Sequence, residues 1–349
     1  MKYKDELEQT ARALVAPAKG ILAADESSGT IRRRFDAIGV ESTEQNRRDY
    51  RELLFRTKGA NEFVSGVILY DETIRQKGAD GTPLVKVLQD QGIIPGIKVD
   101  AGTVPLAGSE TELVTQGLDG LRERFAEYRE LGARFSKWRA VITIGEGIPT
   151  DYCIEVNMHA LARFAALSQE AGIVPIVEPE VLMDGDHSID ACCEATRRSL
   201  KQLYGQLYRQ RVHLPGTLLK PNMVLSGNKA SNRASSEEVA RQTVTVFKET
   251  VPAAVPGIVF LSGGQPDDEA TVNMDAIARY GLQAGAPWQL SYSFGRGLQA
   301  APQKAWSGKA ENVAAAQKAF YHRAKVTSAA RQAKYSPAME KELAAAPAS

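Results

Sequence analysis

The octapeptide GTLLKPNM at 216–223 sets a lysine at the end of an apolar run. Thr217, Leu218 and Leu219 have the pattern of a short buried strand, and Pro221, which cannot donate to a sheet ladder, stops it just past Lys220. Burial disfavours the charged form of an amine, and a neutral amine attacks carbonyl carbon, so Lys220 is a candidate for Schiff-base chemistry. A lone strand-end lysine more often extends its ammonium into water. Its company changes that reading: Asp25 follows GILAA, GIKVD carries Lys98 and Asp100, FSKWR carries Lys137 and Arg139, and VPIVEPE carries Glu178 and Glu180. Side chains alternate along a strand, so Lys137 shares a face with Arg139, Glu178 with Glu180, and Asp25 with Ala23 and Ser27. A second lysine near Lys220 further favours the neutral amine, and two crowded carboxyls let one hold a proton that the other lacks. Carbinolamine dehydration and imine chemistry require such an acid–base pair.

These residues need elements that bring them to one place. Short apolar strands are predicted at 20–24, 64–70, 93–100, 135–142, 173–180, 217–223, 258–263 and 288–294. Their spacing of about 30 to 45 residues is that of βα units. Between them, Ser42 with Gln45 and Ser235 with Glu238 match capping boxes, and Gly172 ends a long helical segment. Eight alternating units with no internal break predict a single α/β domain over 1–335, a (β/α)8 barrel of the triosephosphate-isomerase (TIM) type. A helix with Leu7, Ala11 and Leu14 on one face precedes it, and the Ala- and Pro-rich residues 336–349 read as a mobile tail. An open doubly wound sheet is the alternative, but the turn DESSG at 25–29 lacks the G-x-G-x-x-G pattern.

In such a barrel the active site lies at the C-terminal ends of the strands, where phosphate commonly binds to the loops after strands seven and eight. Those loops here are LSGGQ, with Ser262, Gly263 and Gly264, and SFGRG, with Gly295 and Arg296. Glycines let backbone N–H groups approach an anion, and an arginine adds a charge-assisted contact. Across the mouth, the basic run Arg32, Arg33 and Arg34, which follows Ser27 and Thr30, suits a second phosphate together with Lys98 and Arg139, although at least one of the three arginines belongs to a solvated helix face. A lysine between two phosphate sites fits a bisphosphorylated ketose.

Composition excludes other classes. Net charge is +1, from 43 basic and 42 acidic residues, which gives no global field for nucleic acid or an acidic membrane. No apolar run approaches the ~20 residues of a membrane span, and the acidic N-terminus resembles neither a secretory signal nor a transit peptide. Three cysteines, two of them adjacent, point to reduced thiols in a cytoplasm. Four scattered histidines offer no metal-ligand spacing, so neither a metal nor another cofactor is expected.

The motifs GILAADESSGTIRRR, GIKVD, FSKWR, VPIVEPE, GTLLKPNM, FLSGGQ and SFGR together resemble class I fructose-bisphosphate aldolases. The resemblance implies a homotetramer that cleaves fructose 1,6-bisphosphate reversibly without a metal. It implies Lys220 as the Schiff-base lysine, Glu178 as the principal acid–base group with Glu180 beside it, and Asp25 as the base at the carbon-4 hydroxyl. Lys137 would polarise the substrate. Ser262, Gly263, Gly295 and Arg296 match the carbon-1 phosphate site, and Ser27, Thr30, Lys98 and Arg139 the other. Thr30 stands for a serine of animal members, Pro215 for a common glutamate, and APAS at 346–349 for a terminal tyrosine, for which a slower enamine proton exchange is expected. The rivals are a transaldolase or monophosphate aldolase, and a catalytically silent scaffold. The second phosphate cluster opposes the former, and the set Asp25, Lys137, Glu178, Lys220 opposes the latter.

Overall fold

The computed structural model describes residues 2–342. Eight strands close into one parallel barrel in chain order: β1 (Gly20–Ala24), β2 (Val64–Leu69), β3 (Ile94–Lys98), β4 (Phe135–Ile142), β5 (Val174–Val181), β6 (Leu218–Leu219), β7 (Gly257–Phe260) and β8 (Gln289–Phe294), the last pairing with β1. Helices lie between successive strands and cover the outer face. The architecture is the (β/α)8 barrel that the spacing predicts.

Two local expectations need correction, and one element was not expected. The strand expected over 217–223 has two residues, because Pro221 has no N–H to donate. The ladder continues by other means: Lys220 N–H donates to Val177 O at 2.8 Å, Leu261 N–H to Pro221 O at 3.1 Å, and Val181 N–H to the Asn222 side chain at 3.0 Å. The helix Glu44–Phe55 is capped by Thr43, which accepts from Asn46 N–H at 3.1 Å, and not by Ser42, whose carbonyl instead accepts from Arg47 at 2.6 Å. Ser235 does cap Ser236–Thr250. Finally, a hairpin of Thr103–Pro105 and Leu113–Thr115, unanticipated in the sequence, follows β3.

The two faces of each strand sort as period two demands. Leu22, Val67, Trp138, Val177, Leu219 and Phe260 pack outward in the core shared with the helices. Ile21, Ala23, Ile68, Phe135, Val174, Ile176, Leu218 and Val259 fill the barrel interior. The N-terminal helix Lys4–Leu14 plugs that interior from below, with Leu7, Ala11 and Leu14 joining the same cluster. Glu6 and Glu8 tie the helix down through Arg129 at 2.9 Å and His213 at 2.8 Å.

Large rings on both faces of the sheet, Phe135 inside the barrel and Tyr292 outside it, fit because neighbouring strands carry glycine. A Cβ on Gly96 would lie 2.4 Å from the Phe135 ring, and one on Gly20 2.5 Å from the Tyr292 ring. At the other end of the chain, Pro337–Glu340 forms a turn that Arg323 holds through Glu340 at 2.6 Å. The tail expected over 336–349 lies outside the described residues from 343 onward.

Gly96→Ala should therefore overpack the interior against Phe135 and cost about 1–3 kcal/mol. A lowered urea midpoint checks this; an unchanged one would mean that the ring moves aside freely.

Candidate active site

Above the apolar interior layer, the inward positions turn from hydrocarbon to charge. Ile176 gives way to Glu178 and Glu180 on β5, Phe135 to Lys137 and Arg139 on β4, Leu218 to Lys220 beyond β6, and Ala23 to Asp25 beyond β1. Period two makes this switch automatic, so the four strands deliver their charged groups to one cleft of about 670 Å³. All sixteen side chains and glycines expected from the sequence line that cleft: Asp25, Ser27, Thr30, Arg33, Arg34, Lys98, Lys137, Arg139, Glu178, Glu180, Lys220, Ser262, Gly263, Gly264, Gly295 and Arg296.

Lys137 is the hub. Its Nζ lies 2.8 Å from Asp25 Oδ2, 3.2 Å from Glu178 Oε2 and 3.9 Å from Asp100 Oδ2. Burial works to strip its proton, yet the three carboxylates overcome burial and hold the ammonium above its ordinary range. Burial likewise works to raise Asp25, but Lys137, Lys220 and Lys98 pull its carboxyl well below the usual range. Lys220 Nζ lies 3.2 Å from the other oxygen of Glu178, so one carboxylate touches both buried lysines. Lys220 is only 4% exposed, which rules out a rim lysine reaching into water.

Glu178 and Glu180 share a face but not a partner. Glu180 pairs with Arg139 at 2.5 Å, and that carboxylate holds the guanidinium above its ordinary range against the effect of burial. The expected crowding of the two carboxyls is thus relieved by separate cations.

The loops after β7 and β8 are neighbours. Gly263 and Gly264 take positive φ values of 57° and 87°, conformations that favour glycine, and a Cβ on Gly264 would lie 3.6 Å from Arg296 Nη2. Arg296 is the first residue of the helix Arg296–Trp306, two residues earlier than expected, so backbone N–H groups and guanidinium meet at one helix N-terminus. On the opposite side, the Ser27 hydroxyl donates to Thr30 Oγ1 at 3.2 Å and Arg33 donates to the same oxygen at 3.3 Å. Lys98 pairs with Asp100 at 2.9 Å. Arg34 lies apart from this group: a Cβ on Gly295 would sit 4.0 Å from its Nη2.

Sequence reasoning undervalued two acids. Asp100 was legible as a strand-end charge, but its role as the link between Lys98 and Lys137 was not. Glu26, beside Asp25 in the motif, pairs with Arg34 at 2.5 Å and accepts from Gln299 at 2.6 Å. Its signal was its place in DESSG; its partner Gln299 is 273 residues away.

Known proteins match this chain along nearly its whole length. The family model for class-I fructose-bisphosphate aldolase (Glycolytic) matches residues 6–348. A protein of Xanthomonas campestris pv. campestris named probable fructose-bisphosphate aldolase class 1 is 58% identical over 303 residues, covering 87% of this chain and 90% of that one. The cytoplasmic fructose-bisphosphate aldolase isozyme of Spinacia oleracea is 53% identical over 313 residues, covering 90% and 87%. The fructose-bisphosphate aldolase of Plasmodium falciparum, solved in complex with TRAP and a small-molecule inhibitor, superposes with a TM-score of 0.94 at 47% identity and 96% coverage of both chains. The chain therefore belongs to the class I fructose-bisphosphate aldolase family, lyases of the glycolytic carbon–carbon cleavage.

Proposed function

We propose that this aldolase works through a Schiff base on Lys220. The observation that carries the reading is the contact of Lys220 Nζ with Glu178 at 3.2 Å, while Glu178 and Asp25 are both held by Lys137. Glu178 takes a proton from the Lys220 nitrogen, the freed amine attacks carbon 2 of the open-chain ketose, and Glu178 relays the protons that the nitrogen gives up to the carbinolamine oxygen, which leaves as water. The resulting iminium is an electron sink. Asp25, kept ionised, takes the proton of the carbon-4 hydroxyl as the bond between carbons 3 and 4 breaks. Glyceraldehyde 3-phosphate leaves and the bond electrons reside in an enamine on Lys220. Protonation at carbon 3 and addition of water then release dihydroxyacetone phosphate and restore the amine. Lys137 beside these groups stabilises the negative charge that develops on the substrate oxygen.

Ser262, Gly263, Gly264, Gly295 and Arg296 hold the carbon-1 phosphate, and Ser27, Thr30, Arg33, Lys98 and Arg139 the distal one, with Arg34 between. The cleft lining carries seven basic and five acidic side chains, an excess that favours a bisphosphate. Membership of this family and the cytoplasmic isozyme among its relatives support, as part of the same proposal, a cytoplasmic homotetramer.

Borohydride reduction in the presence of substrate should leave a covalent adduct on Lys220, located by peptide mapping; an adduct on another lysine overturns the assignment. Lys137→Met should lower kcat roughly a hundred- to a thousandfold. It should also move the acid limb of the pH–rate profile upward, because Asp25 loses its principal counter-charge while burial still raises its pKa. Arg139→Ala should weaken kcat/KM for fructose 1,6-bisphosphate by about tenfold or more and leave that for fructose 1-phosphate nearly unchanged. Equal losses on both substrates would remove Arg139 from the distal phosphate site.

A further inference from the structure

We infer that the opposite end of the barrel carries a second small-molecule site, which takes an organic anion with a flat apolar body. A cavity of about 420 Å³ opens beside the N-terminal end of β8, within the range of roughly 300–1,000 Å³ typical of ligand sites. It lies at the bottom rim, whereas the catalytic cleft lies at the top. Pro17, Leu282, Pro287, Trp288 and Leu290 give it apolar walls. Trp288 directs its indole N–H away, donating to Pro252 O at 2.9 Å, which leaves its ring as wall. Leu282 is 75% exposed at the rim.

The charges of this cavity are all of one sign. Among the described residues, Arg331 and Lys334 line it and no acidic side chain does. Arg331 is 7% exposed, yet its hydrogen-bond partners are neutral: Ala16 O at 2.8 Å, Lys19 O, Val15 O at 3.4 Å, Ser291 Oγ at 3.1 Å and Gln289 Oε1 at 3.1 Å. No carboxylate stands within ion-pair distance of it among the described residues. A buried guanidinium without a counter-charge, next to an open apolar cavity, creates a field that an anionic head satisfies while its apolar body covers Trp288 and Leu290. A carboxylate, sulfonate or phosphate ester on an aromatic ring has this chemistry.

The probe is 8-anilinonaphthalene-1-sulfonate, titrated by fluorescence into the intact enzyme with the catalytic cleft filled by hexitol 1,6-bisphosphate. One saturable site per chain is expected, weakened by salt. Leu282→Glu and Lys334→Glu, both exposed changes that spare the Arg331 clasp, should each weaken it by about tenfold, while cleavage activity stays at the parent level. The uncharged analogue N-phenyl-1-naphthylamine should bind at least about tenfold more weakly. The inference is overturned by the lack of a saturable site with the cleft filled, by affinity that neither substitution moves, or by equal binding of the uncharged analogue, which would mark a merely apolar groove.

Discussion

Lys137 Nζ contacts Asp25 and Glu178 and faces Asp100, and the arrangement of the barrel mouth follows from that ammonium group. Three carboxylates gathered in a poorly solvated interior repel one another, and without a cation among them burial would drive protons onto them. With Lys137 present, Asp25 stays ionised and Lys137 stays charged, each the cause of the other's state. Such a cluster adds little to stability, since desolvating its members offsets their attraction. Its value is positional. Glu178 is fixed by Lys137 on one oxygen and therefore presents the other to Lys220 at a set distance.

A positional device of this kind works only on a rigid platform. The platform is the apolar layer beneath, where Ile176, Leu218, Phe135 and Ala23 occupy the same inward faces as the charged groups one step above. The N-terminal helix Lys4–Leu14 seals that layer, so packing below and ion pairs above are continuous along each strand. At β6 the sheet is weakest, with two residues in regular pairing, and there the carbonyl of Pro221 and the side chain of Asn222 replace ladder bonds on both sides. Lys220 is thereby held in line with β5 by its own backbone N–H to Val177 O.

Much of this was legible in the sequence because period two is a local rule. Once 135–142 and 173–180 read as strands, the shared faces of Lys137 with Arg139 and of Glu178 with Glu180 followed, and both lie inward. What alternation does not give is pairing between elements. It put Glu178 and Glu180 together but not Glu180 with Arg139, and it named Asp100 without linking it to Lys137. It could not find Gln299 as a partner of Glu26, nor the hairpin after β3, whose register with β4 depends on Thr115 donating to Arg139 O at 2.7 Å. By type Ser42 is the better cap of the two, so the choice of Thr43 rests on where the chain turns.

Two buried cations show why partners, and not burial, decide what a charge does here. Lys137 and Arg331 are both nearly excluded from water. Carboxylates raise the one, whereas Arg331, surrounded by carbonyls, a hydroxyl and an amide, is pushed down by burial to about 10. Both remain charged at neutral pH, but their fields end differently. That of Lys137 is spent on Asp25, Glu178 and Asp100, which makes it part of a closed catalytic cluster. That of Arg331 meets dipoles that clasp the residues before β1 to β8, and dipoles do not cancel a net charge. Strand β8 thus runs between a charge at its lower end with no counter-ion among the described residues and a cleft at its upper end where five acids face seven bases. The barrel tolerates the first because the Arg331 clasp joins the chain's two ends, and it keeps the second because the reaction needs acid and base within reach of one lysine.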